Sequence, residues 1–138
     1  MRDLARVLTP KRFLSIAGAT LILLGLAGIT GVLGEVSSAS FFHPPYWINW
    51  VHFAFGFILL TVAFVGGPRV QNTFALAGAI AGTTLGSLGL LLGPYVAARL
   101  NVPELADPSD HIAHLTVGLL ALWAWTNRSP PHTQRHAH

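Results

Sequence analysis

No cysteine occurs anywhere in this chain. That rules out disulfides, thiolate metal centres and cysteine nucleophiles, and it removes the usual clue to redox compartment. Charge is almost as scarce. Asp, Glu, Lys and Arg together make up 9% of the 138 residues, where a soluble domain carries about 25% because water must wet its surface. The motifs of enzyme chemistry are missing too. The sequence has no Ser-His-Asp arrangement, no paired carboxylates at catalytic spacing, no phosphate-cradling glycine loop and no HExxH. These absences point away from an enzyme.

What is present is apolar. Hydrophobic residues make up 52% of the chain, and 14 glycines are scattered among them. The apolar residues gather in runs of about 20, the length a helix needs to cross a hydrocarbon core. We therefore expect an all-α, polytopic membrane protein. Four transmembrane spans are expected, over about 13–34, 46–65, 74–97 and 108–126. They lie between a basic N-terminal segment, 1–12, and a hydrophilic tail, 127–138.

The connecting segments carry their own signals. Leu4, Val7 and Leu8 suit a short interfacial helix that Pro10 would end. Ser37-Ser38-Ala39 resembles a signal-cleavage site, yet the preceding apolar run exceeds the 7–15 residues or so of a signal sequence. Phe41, Phe42, Tyr46 and Trp47 sit beside prolines, as aromatic anchors at a membrane boundary do. Gly66-Gly67-Pro68 stops the second span, with Arg69 to Asn72 as the turn back. Pro94 marks a kink or an end to the third span. Asp107, as N-cap before Pro108, marks the start of the fourth.

Orientation follows from the cations. With four spans, Arg2, Arg6, Lys11, Arg12, Arg69, Arg128 and Arg135 collect on one side, and only Arg99 lies opposite. The excess of Lys and Arg assigns both termini to the cytoplasm, in an inner-membrane, multi-pass protein. The same cations are spread over the flanks rather than clustered, which suits lipid headgroups and not nucleic acid.

The chain also resembles itself. A shift of 62 residues lays His52 on His114 and Gly56 on Gly118. A shift of 61 lays Gly25 on Gly86 and Gly28 on Gly89. One residue of loop length reconciles the two. This reads as two tandem helical hairpins, each a glycine-striped helix followed by a histidine helix. Both copies enter the membrane in the same direction, so the internal repeat is parallel, with a pseudo-twofold axis along the membrane normal. Asn49, Gly56, Gly118, Gly25, Gly28, Gly86 and Gly89 are the expected helix-packing positions, since small residues let backbones approach closely.

The pattern polar-x-x-His-x-x-x-Gly occurs from Asn49 to Gly56 and again from His111 to Gly118. It resembles a bacterial family of small four-helix membrane proteins catalogued as domain of unknown function 4383. His111 stands where that pattern would have a residue such as Asn. The resemblance implies a fold and a topology over about residues 13–125, and no chemistry.

His52 and His114 sit at matching depth, about 10 Å inside their helices at 1.5 Å per residue. Three roles compete for them. The first is structural: hydrogen bonds across the bundle to Asn49, Thr83, Thr84, Ser87, Thr116 or carbonyls, in an accessory or interaction module. Its partners would be membrane lipids, a second copy or other membrane proteins. The second is a cofactor site: His52 and His114 as axial ligands of haem b, or His43, His52, His111, His114 and Asp110 around a divalent transition metal. The third is a small transporter or a sensor of outside pH.

Overall fold

A computed structural model of the chain describes residues 8–32, 46–100 and 108–128. Among these there are four α-helices and no strand: α1 (Pro10–Ile29), α2 (Tyr46–Val65), α3 (Pro68–Leu100) and α4 (Pro108–Thr126). Three of them are long and apolar enough to cross a membrane: α1, α2 from Trp47 onward, and α3. In α4, 19 residues long, the first turn is polar, with Asp110 followed by His111 and His114.

Proline starts helices here where the sequence suggested that it would stop one. Pro10 opens α1; Leu4 and Val7 of the expected interfacial helix lie outside the described residues. Thr9 is the N-cap, and its hydroxyl oxygen accepts from the Arg12 amide at 3.4 Å. Proline has no N–H to leave unpaired in a first turn, so this position suits it. At its other end α1 stops at Ile29, short of the expected Gly34, which lies outside the described residues. Gly31 lies past the helix end at φ 77°. Only glycine takes that conformation without cost.

The turn between α2 and α3 is shorter than expected. It consists of Gly66 and Gly67, and Arg69 to Asn72 already belong to α3. Gln71 makes the short turn workable. Its side-chain amide donates to the carbonyls of Ala63 at 3.0 Å and Gly66 at 2.8 Å, pairing groups that the end of α2 leaves open. Pro94 neither ends nor interrupts α3, which runs on to Leu100. Membrane helices tolerate proline where neighbouring groups pair the freed backbone. At 33 residues, α3 is about 50 Å long, well beyond a hydrocarbon core of about 30 Å. Its projecting end carries Arg99, stacked over the Tyr95 ring at 5.2 Å.

The helices pack as two antiparallel pairs, α1 with α2 and α3 with α4, and most of the packing lies inside these pairs. Between pairs, α1 touches α3 and α4, and α2 touches α3. The two histidine helices, α2 and α4, do not approach one another among the described residues. The sequence suggested that these two would face each other. Instead the glycine-bearing helix α1 touches both of them.

The apolar core shared by both pairs contains Phe13, Leu14, Leu59, Ala63, Ala79, Ala121 and Ala124. All seven lie toward one end, where α1 begins and α4 finishes. We call this the terminal end and the opposite one the distal end. Two further contacts close the terminal end. The Asn127 amide donates to the Leu8 carbonyl at 3.4 Å, 119 positions away. Lys11 sits 5.9 Å over the Phe64 ring. Large apolar side chains such as Leu23, Phe64, Ile80 and Leu91 face outward, as lipid-facing residues do.

Candidate functional site

Within each pair the distal half is held together by glycine. A Cβ built on Gly25 would lie 2.6 Å from both the Asn49 carbonyl oxygen and the Phe53 amide nitrogen. One built on Gly28 would run into the Asn49 carboxamide. In the other pair, a Cβ on Gly86 would lie 2.5 Å from the Leu115 amide nitrogen and 2.7 Å from the His111 carbonyl oxygen, and one on Gly89 would strike the His111 ring. Asn49 and His111, and Phe53 and Leu115, are each 62 positions apart. At these four glycines the contacts correspond position by position. Toward the middle, Gly56 meets the backbone of Gly18 and Ile22, and Gly118 that of Gly82 and Thr83. Asn49, a polar residue only 5% exposed, is buried by this packing.

The two helical histidines differ in their surroundings. The Nδ1 of His114 lies 2.8 Å from the Asp110 carbonyl and 3.5 Å from the Asp110 carboxylate. Since a carbonyl only accepts, Nδ1 is the protonated nitrogen in that bond, which leaves Nε2 free to accept when the ring is neutral. His52 has no such bond. Its Nδ1 is buried and without a hydrogen-bond partner. The expected bonds across the bundle are absent from the described contacts. His114 bonds within its own helix, and Thr83 and Thr116 donate to Ala79 and Ile112, also within theirs. A short-range carbonyl one turn back is the nearer partner for a Thr or His on a helix.

Across the pairs, His52 lies within electrostatic reach of Asp110 and His114. Among the described residues no three His, Asp or Glu side chains come together closely enough to hold a metal ion. His43 lies outside the described residues, and His111 is turned against Gly89. Thr83, Thr84, Ser87 and Leu88 line a separate, broadly open depression of about 340 Å³ on α3.

The sequence offered no sign of two features. One is the role of Gln71 as a cap, since its partners lie on the preceding helix. The other is the confinement of the shared core to the terminal end, which depends on how the pairs splay. In three comparisons with known proteins, no family model, no curated protein and no solved structure matches this chain.

Proposed function

We propose that this chain is a four-span inner-membrane protein of two tandem hairpins, with both termini cytoplasmic, that works as a structural or accessory module rather than an enzyme. The observation that carries this reading is the duplicated close packing. Gly25 and Gly28 meet Asn49 and Phe53 as Gly86 and Gly89 meet His111 and Leu115. Chance matches between glycine-rich sequences would not be expected to reproduce the same backbone contacts. The cations support the orientation: Lys11, Arg12, Arg69 and Arg128 lie at the terminal end and Arg99 at the distal end. Partners on this reading are lipids, a second copy or other membrane proteins. The likeness to domain of unknown function 4383, drawn from the two histidine helices, belongs to the same proposal.

A second reading is favoured by one observation, the buried unpartnered Nδ1 of His52 near His114. On that reading His52 and His114 are the residues that would hold haem b or a transition metal. The group would supply redox or Lewis-acid chemistry. A visible absorption spectrum of the purified protein, with metal analysis, separates the two readings. The accessory reading expects no Soret band and no stoichiometric metal. Either signal would replace it with the cofactor reading.

A further inference from the structure

Between the hairpins, burial falls away along matching faces. On α2, Ala63 and Leu59 are 0% and 8% exposed, but Phe55, one turn further toward the distal end, is 49% exposed. On α4, Ala124 and Ala121 are both 0% exposed, and Val117 is 46%. Leu85 of α3 lies seven residues on from Gly78, where a Cβ would come within 3.8 Å of Ala121 of α4 and 4.0 Å of Phe13 of α1, and so shares that face. It is 56% exposed. The hairpins thus meet at the terminal end and part toward the distal end. His52 continues the α2 face and His114 and Asp110 continue the α4 face, with the Asp110 and His114 side chains 40% and 36% exposed.

We propose that this cleft is a binding site for a membrane phospholipid whose headgroup carries a primary ammonium. Its depth from His52 to Leu59 is seven residues, about 10 Å. That is two thirds of one leaflet's share of a core of about 30 Å, room for much of an acyl chain. Phe55, Val117 and Leu85 supply apolar walls, and Leu59 with Ala121 closes the floor. The mouth supplies the complementary charge. The Asp110 carboxylate and the free Nε2 of His114 are acceptors for an ammonium.

The inference rests on the membrane reading above, and one experiment separates them. Full-length protein is reconstituted into phosphatidylcholine vesicles containing phosphatidylethanolamine or phosphatidylglycerol. It is tested for flotation, then extracted gently for native mass spectrometry. Wild type should retain phosphatidylethanolamine in preference to phosphatidylglycerol. Asp110→Asn, nearly the same shape, should lower that retention about tenfold, the equivalent of one charge-assisted hydrogen bond. Val117→Trp, which fills the cleft, should abolish it. Phe57→Ala, on the outward face, should not change it. Equal retention of both lipids, retention insensitive to Asp110→Asn, or a second copy or no lipid in the cleft would overturn the proposal while leaving the membrane reading intact. Failure to float with the vesicles would sink both.

Discussion

A Cβ is the smallest change a side chain can make, and two glycines of α3 would feel it in opposite ways. At Gly86 the added methyl would press on the backbone of Leu115 and His111. Gly86→Ala should cost about 1–3 kcal/mol, the usual penalty for overpacking a tight contact. At Gly78 it would meet Ala121 at 3.8 Å and Phe13 at 4.0 Å, which is ordinary contact. Gly78→Ala should be neutral or add about 0.5–1 kcal/mol through helix propensity. Unfolding of the two variants in detergent, side by side, checks the pair. If Gly86→Ala were as harmless as Gly78→Ala, the close register between α3 and α4 would be wrong. The histidines should also part company. His114→Ala loses a bond to the Asp110 carbonyl, worth about 0.6 kcal/mol in membranes. His52→Ala removes a buried nitrogen with no partner and should cost no stability by that route. The same unfolding assay distinguishes them, and a larger loss at His52 would mean that its ring is held by something inside the protein.

At the level of the element, the interest lies in how helices begin and end. The sequence marked α2 and α4 well: Tyr46–Val65 and Pro108–Thr126 fall where the apolar runs and prolines put them. It misplaced α1 and α3, because Pro10 and Pro68 read equally as the stop of one segment and the start of the next. The Gly66-Gly67 turn is short enough that α2 needs a cap from α3, and Gln71 provides it. Gln71→Ala should destabilise the hairpin junction by about 1 kcal/mol, with two side-chain bonds lost to carbonyls near the surface. Hydrogen exchange at the α2 carboxyl end is the direct readout. Protection unchanged there would show that water serves those carbonyls as well as the side chain does.

For the whole molecule, orientation gives the plainest prediction. A reporter fused after His138 should stay cytoplasmic, and one inserted between Leu100 and Pro108 should be exposed on the other side. Periplasmic activity after His138 would remove the four-span arrangement. That test bears most on α4, whose polar first turn sets it apart from the three helices apolar enough to cross a membrane. Two closely zipped hairpins that share a core at one end only also make a distinctive mechanical unit. Packing within each pair is backbone against backbone, whereas packing between pairs rests on a few alanines, leucines and one phenylalanine. Relative movement of the hairpins is therefore easier than any movement inside them.

Scarce charge, long apolar runs and glycine spacing are local properties of the chain, so the sequence alone determined that the protein is helical and suited to a membrane. It also suggested Gly25 and Gly86, and Asn49 and His111, as matching positions, since the spacing of glycines and histidines is visible without coordinates. Only the tertiary structure decided that the histidine helices stay apart, that His114 bonds within its own helix while His52 does not, and that the hairpins part toward the distal end. The reason is physical. Spacing along a helix says which side chains share a face, but not which neighbour that face meets or how far along the helix the contact lasts. Those depend on how small residues let α1 and α3 approach.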